Sequence, residues 1–376
     1  NTRTIAESAH GLACHLKDTG HAGGRIAVAH DTRNRSLEFA RLVCTTLAAH
    51  GFDVLEFDGH RATPTLSFTV RHLACVAGVV ISASHNPPSD NGFKAYWSHG
   101  GQVLPPHDSG IVECVAGSTK IPTMTYDQAV EDGRISRLGP EIDQAYRRAV
   151  LDSRLPAADH QSHDPANLPA LFTPLCGVGA GSVLPVLHEA GFVGVELFEP
   201  QAAPDGDFTA VPDQLPNPER PEVFGPAIAA ADRDRQVLVL ATDPDADRLA
   251  VAAPGPDGLW RVMTGNQLAV VLLDHLLRHH DCPPEAYVLT TLVTTPLLGE
   301  LCRTHGVQAV NDLPVGFKHI AGEIEQRGPG GFVFGCEESI GFQAGTYCRD
   351  KDAAVAALLI ADIALELHAD NQTIWH

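Results

Sequence analysis

Nine cysteines are dispersed from Cys14 to Cys348, yet no two stand in C-x-x-C spacing. That excludes zinc ribbons and thioredoxin-type redox centres. An odd number of scattered cysteines, several in apolar runs (Cys44, Cys75), points to a reducing, cytoplasmic setting. No window is long and apolar enough to span a bilayer. No secretory leader is visible, and the first residue is Asn1, not Met. Basic residues are scarce: 26 Lys and Arg face 46 Asp and Glu, for a net charge of −20. Such a surface repels nucleic acid and anionic membranes, so neither is expected as a partner. An anionic substrate would need a local basic pocket. The chain is not short of core, being 44% hydrophobic and 19% charged. Its 376 residues suggest two or three domains. Of the 20 histidines, His10, His15, His21 and His279 lack the supporting residues of a metal site and read as surface groups.

Apolar runs alternate with helical spacing along the chain, which predicts layered α/β domains around mostly parallel sheets. Strands are expected at 25–30, 52–57, 76–81, 170–173, 237–241, 249–253, 287–291 and 332–334. Helical periodicity covers 36–50, 266–279 and the stretch to about 367. A further helix is expected at 64–73, opened by Thr63 as N-cap and Pro64 at its first position. The polar, proline-rich stretch from Leu155 to Pro169 marks a domain boundary, giving domains 1–154, 155–256 and 257–376.

Ligands of such sheets bind beyond the carboxyl ends of strands, and the unusual residues gather there. The 76–81 strand runs into Ser82-Ala-Ser84-His85-Asn-Pro-Pro-Ser-Asp-Asn-Gly-Phe-Lys94. This loop offers a hydroxyl beside an imidazole, with an ammonium ten residues on, the parts of an activated nucleophile. Asp31-Thr-Arg33 ends an earlier strand, where Arg33 either holds a phosphate or caps a helix. Gly177-x-Gly-x-Gly181 opens a helix, where glycines serve either a phosphate or close packing on the strand. Asp243-Pro-Asp245-Ala-Asp247-Arg248 leaves the 237–241 strand. Three alternating carboxylates are costly to collect unless a cation neutralises them, and carboxylate oxygens suit Mg²⁺. A calcium EF-hand is excluded, since its sixth position would be Arg248 and its twelfth Pro254.

The serine loop and the D-P-D-x-D-R loop closely resemble the active-serine and metal loops of the α-D-phosphohexomutases, the phosphoglucomutase and phosphomannomutase family. Two more stretches match in order. Gly316-Phe-Lys318 is similar to the family's T-G-x-K loop, with Val315 in place of Thr. Gly335-Cys-Glu337-Glu-Ser339 is similar to its sugar-recognition loop, followed by Arg349-Asp-Lys351-Asp. The resemblance implies that Ser84 carries a phosphoryl group and that Asp243, Asp245 and Asp247 hold Mg²⁺ with a phosphate oxygen on Ser84. It implies that Lys94 is the base, with His85 in support and Arg33 in the active site. Arg248, Lys318, Glu337, Ser339, Arg349 and Lys351 would bind the sugar phosphate. The implied reaction interconverts hexose 1- and 6-phosphates through a 1,6-bisphosphate, which also serves as activator.

The glucose and mannose substrates are favoured over glucosamine, and pentose phosphates stay open. A phosphohydrolase and a non-catalytic binding relative are the rival classes. Either a monomer or a dimer is compatible. The family also carries a glycine-rich, arginine-bearing segment before its first strand and a fourth, phosphate-gripping domain. Neither pattern occurs between Asn1 and His376. The expectation is that Ser84 phosphorylation survives in this chain while mutase turnover is severely reduced.

Overall fold

The computed structural model describes residues 1–154, 164–279 and 281–376. Most of the expected boundary segment, 155–163, and His280 lie outside the described residues. The first unit runs α1 (Thr2–Asp18), β1 (Arg25–His30), α2 (Ser36–Ala49), β2 (Asp53–Phe57), α3 (Thr63–His72), β3 (Ala77–Ile81) and β4 (Phe93–Trp97). It closes with α4 (His107–Ala116), α5 (Tyr126–Glu131), β5 (Ile135–Leu138) and α6 (Pro140–Asp152). Its sheet has the order β4-β3-β1-β2-β5, parallel except for β4.

The second unit holds β6 (Ala170–Thr173), α7 (Gly179–Glu189), β7 (Val195–Leu197), α8 (Gly225–Arg233), β8 (Leu238–Thr242), β9 (Leu249–Pro254) and β10 (Trp260–Val262). The strand order is β10-β9-β8-β6-β7, with β9 antiparallel to both neighbours. Because β10 pairs with β9, this sheet extends past the boundary expected at residue 256. Sequence periodicity could not place a strand of only three residues, Trp260–Val262. The third unit holds α9 (Gly265–His279), β11 (Tyr287–Thr291), α10 (Leu297–Thr304), β12 (Gln308–Leu313), α11 (Phe317–Arg327), β13 (Phe332–Glu337), β14 (Gly341–Ala344) and α12 (Ala353–Ala369). Its sheet runs β12-β11-β13-β14, again with one antiparallel strand, β14.

The three sheets share a device. In each, a buried parallel strand ends in a loop and the chain returns antiparallel: β3 to β4, β8 to β9, β13 to β14. The loops between them, 82–92, 243–248 and 338–340, hold three of the stretches in which site residues are expected. Each contains one non-glycine residue in the left-handed region: Ser84 (φ +51°), Ala246 (φ +52°) and Ile340 (φ +55°). A β-carbon there costs of order 1 kcal/mol, so surrounding contacts must hold it.

Helix α12 is buried from Ala353 to Leu365 and, but for Asp362, apolar on every side over that span. It packs on α7 of the second unit as well as on β14 and α9 of its own. Its N-cap, Asp352, accepts from Ala354 N at 2.8 Å, from Tyr146 Oη at 2.8 Å and from Tyr347 Oη at 2.6 Å. Burial pushes its carboxyl up to about 6, against the pull of those donors. The folded protein therefore binds a proton here that the unfolded chain releases near pH 4. The stabilisation is present at low pH and lost as pH rises through about 6. Asp352→Asn should gain roughly 3 kcal/mol on the wild type between about pH 4 and about pH 7.5. Urea unfolding of both proteins at the two pH values reads the difference.

Candidate active site

Strand β3 is buried along its whole length because its five residues are small or aliphatic. It delivers Ser82 into the core and Ser84 to the rim. Ser84 N donates to Ser82 Oγ at 2.9 Å, one source of the left-handed turn. Gly92 closes the loop: a β-carbon there would stand 2.4 Å from Ser82 O. Arg33 holds the loop from beneath. Its guanidinium is buried and donates to the carbonyls of Ser84 (2.5 Å), Asn86 (2.5 Å), Pro87 (2.8 Å) and Asp90 (3.2 Å). With its forks committed to backbone, Arg33 positions the serine loop and does not reach a phosphate, a correction to the expected catalytic role. Asp31, held up to about 6 by burial, accepts from Arg33 N and Ser36 Oγ and pairs with the guanidinium at 3.3 Å.

Strand β8 delivers the acidic loop. Asp243, Asp245 and Asp247 are all at most 1% exposed, which rules out a solvated acidic loop. One oxygen from each lies within 4.8 Å of the others. Asp245 Oδ1 and Asp247 Oδ1 are buried without a hydrogen-bond partner. Orphaned carboxylate oxygens in a buried, oxygen-only set are the donor chemistry of a hard cation. Gly177 permits this loop to sit so deep: a β-carbon there would meet Pro244 Cα at 2.4 Å. The Gly-x-Gly-x-Gly stretch therefore serves packing, the second of its two readings.

The loop serine and the triad meet directly. Ser84 Oγ donates to Asp243 Oδ2 at 2.5 Å, across 159 residues of sequence. Burial and the charges of Asp247 and Asp245 raise the Asp243 carboxyl well above the usual range. Asp245 is the opposite case, held far below the usual range by the Lys94 ammonium despite its burial. Lys94 Nζ lies 2.6 Å from Asp245 Oδ2 and 3.5 Å from Asp247 Oδ2. Those carboxylates raise the Lys94 ammonium above its ordinary value against the effect of burial. A locked ammonium cannot accept a proton, so the expected assignment of Lys94 as base is corrected for this form of the site. His85 is better suited. Its Nδ1 lies 3.4 Å from Ser84 Oγ, and burial and Arg248 push its imidazole down to about 4.

The third loop contributes cations and a buried acid. Lys351 Nζ lies 3.1 Å from Asp247 Oδ2. Glu337 is buried, raised by that burial, and accepts from Gly316 N at 2.9 Å. Ser339 is half-buried in the turn beside it. Lys318 shares a surface cleft with Lys94, Phe93 and Gln102. Arg248 sits between Glu219 (3.1 Å) and Asp247 (4.0 Å). Arg349 does not join them. It is 1% exposed, pairs with Glu325 at 2.5 Å and donates to Thr346 O and Cys348 O. It is a structural clamp, not the expected phosphate contact.

Sequence reading missed Thr63. The helix it was expected to cap has Ala62 as its N-cap instead. Thr63 lies in the first turn, where its Oγ1 donates to Asp245 Oδ2 at 2.6 Å and its N donates to Asp245 O at 3.0 Å. The free backbone N–H of a helix start thus holds the acidic loop from the first unit. Ala353 N, from the third, donates to Ala246 O at 3.3 Å. No local pattern distinguishes this threonine from a cap. Thr63→Val should weaken divalent-cation binding roughly tenfold, as loss of an outer contact to a ligand does. Calorimetric titration checks this.

Three family models match the chain. They are Phosphoglucomutase/phosphomannomutase, alpha/beta/alpha domain I over residues 1–121, domain II over 145–255 and domain III over 264–374. A phosphoglucomutase of Staphylococcus epidermidis is 32% identical over the whole chain, which covers 67% of that protein. A probable phosphoribomutase of Schizosaccharomyces pombe is 32% identical, with 64% of it covered. The human glucose 1,6-bisphosphate synthase is also 32% identical, with 62% covered. The chain thus spans about two thirds of the length of these relatives. A putative phosphomannomutase from Thermus thermophilus superposes with a TM-score of 0.80 at 26% identity, over 99% of this chain and 77% of its own.

Proposed function

The chain belongs to the phosphoglucomutase/phosphomannomutase family, and on that premise we propose that it transfers a phosphoryl group between Ser84 and a sugar phosphate. The observation that carries this reading is the 2.5 Å contact of Ser84 Oγ with Asp243, inside a buried carboxylate triad. The cation is Mg²⁺, which would be held by Asp243, Asp245 and Asp247. When bound it would neutralise charge on the phosphoryl oxygens. The rest of the chemistry falls to the chain itself. Ser84 gives up its hydroxyl proton as its oxygen takes the phosphoryl group, and Asp243 Oδ2 at 2.5 Å and neutral His85 at 3.4 Å are the acceptors within reach. Lys351 and Lys94 place positive charge beside the triad, which suits the spread negative charge of a transferring phosphoryl. Arg33 holds the loop in register, so the acceptor oxygen is positioned before substrate arrives.

The substrates are hexose phosphates, of glucose or mannose, interconverted between the 1- and 6-positions through a 1,6-bisphosphate. Glu337, Ser339 and Lys318 would read the sugar and its phosphate. The specific observation favouring a pentose phosphate is that the phosphoribomutase relative is as similar as the phosphoglucomutase one. The test is turnover of glucose 1-, mannose 1- and ribose 1-phosphates with Mg²⁺ and the matching bisphosphate. Bisphosphate-dependent 6-phosphate from either hexose supports the reading. Product from ribose 1-phosphate alone moves it to pentoses, and release of inorganic phosphate alone makes the protein a hydrolase.

A further inference from the structure

Helix α1 places His10 and Cys14 one turn apart on a single face. Against them stands His50, the C-cap of α2. The sequence reading put His10 at the surface, but it is only 7% exposed. His10 Nδ1 lies 2.9 Å from His50 Nε2. Cys14 Sγ lies 3.6 Å from His10 Nε2 and 4.0 Å from its Nδ1. One ligating atom from each of the three residues falls within 4.8 Å of the others. Ligand atoms on a tetrahedral Zn²⁺ stand roughly 3.3–3.6 Å apart, given bonds of about 2.0 Å to nitrogen and about 2.3 Å to sulfur. The spacings here bracket that range. Two ring nitrogens 2.9 Å apart share one proton, and a metal ion can take its place.

We propose that His10, Cys14 and His50 form a binding site for a borderline-soft metal ion of the Zn²⁺ class, separate from the acidic loop. The two donor sets differ in kind. Two imidazoles and a thiol prefer Zn²⁺ or a softer ion, whereas the all-oxygen triad prefers Mg²⁺. Lys17 Nζ lies 3.4 Å from His50 Nδ1. Its exposed, flexible stem lets it withdraw when the ring proton moves from Nε2 to Nδ1. The Cys14 thiol, raised by burial, loses one proton to the solvent as the metal–sulfur bond forms. The ion would tie α1 to the end of α2, two helices that already pack together.

The experiment is a Zn²⁺ titration against a chromophoric chelator, with Mg²⁺ in large excess to hold the acidic loop. Wild type is compared with Cys14→Ser, His50→Gln and His279→Ala. The last removes a ligand from the grouping of His275, His279 and Glu366 on α9 and α12. Wild type should bind one equivalent of Zn²⁺ that weakens at least tenfold in Cys14→Ser and in His50→Gln, and not in His279→Ala. Co²⁺-loaded wild type should show a thiolate-to-metal charge-transfer band that Cys14→Ser lacks. Cys14→Ser is a mild change at a half-buried position, so the test stands even if His50→Gln fails to fold. Equal binding by wild type and Cys14→Ser, a band that persists in Cys14→Ser, or a loss confined to His279→Ala would each overturn the proposal.

Discussion

Ser84→Ala should abolish phosphoryl transfer while leaving the fold and the cation site in place. The side chain removed is one hydroxyl with a single strong contact, to Asp243 Oδ2 at 2.5 Å. Its loop is held by the Arg33 bonds to main-chain carbonyls, which alanine keeps. Loss of a nucleophile typically costs roughly 10⁴–10⁶ in rate, because no other group can accept the transferring atom. Incubation with radiolabelled glucose 1,6-bisphosphate reads the step directly: label should appear on the wild type and not on the variant. Mg²⁺ affinity should change no more than about tenfold, as one hydrogen bond, to Asp243, is lost. A variant that still takes label would place the acceptor elsewhere and sink the assignment.

The second large effect comes in a pair. Asp243→Asn and Asp245→Asn should both weaken Mg²⁺ binding at least ~100-fold, since each deletes a carboxylate ligand. Their effects on stability in the presence of a chelator should diverge. Burial and the neighbouring carboxylates favour the protonated form of Asp243, which an amide imitates: its oxygen accepts from Arg248 N and its NH₂ donates to Ser84 Oγ. The cost should stay within about 1 kcal/mol. Asp245 is ionised and paired with Lys94 in a site where it is wholly buried. Removing its charge leaves Asp247, at 3.5 Å, as the ammonium's one ion-pair partner among the described residues, a loss of about 3 kcal/mol. The depressed Asp245 carboxyl also gives the sign with pH. Its stabilisation is complete above the unfolded value near pH 4 and falls away as pH drops further. Thermal unfolding of the three proteins, with and without Mg²⁺, separates the two roles. Equal destabilisation by both variants would refute the opposite shifts of the two carboxyls.

Much of this site was legible in one dimension. A strand that ends in Ser-x-Ser-His-Asn-Pro and another that ends in alternating aspartates are local patterns. Their chemistry follows from residue type and spacing, because strand ends are where a parallel sheet leaves side chains free. Helix periodicity likewise placed α2, α9 and α12 to within a few residues, since an apolar stripe needs only its own neighbours to declare itself.

What the sequence could not determine was each side chain's partner. Arg33, Lys94 and Arg349 looked alike as cations near loops. Only the tertiary structure made the first a clamp on main-chain carbonyls, the second a locked counter-ion and the third a buried strut. Thr63 looked like a helix cap until a loop 182 residues away claimed its hydroxyl. Composition and spacing set what each residue can offer: a proton, a charge, a lone pair. Which offer is taken depends on which loops the three sheets bring together and on how much water they exclude, and both are properties of the packed chain.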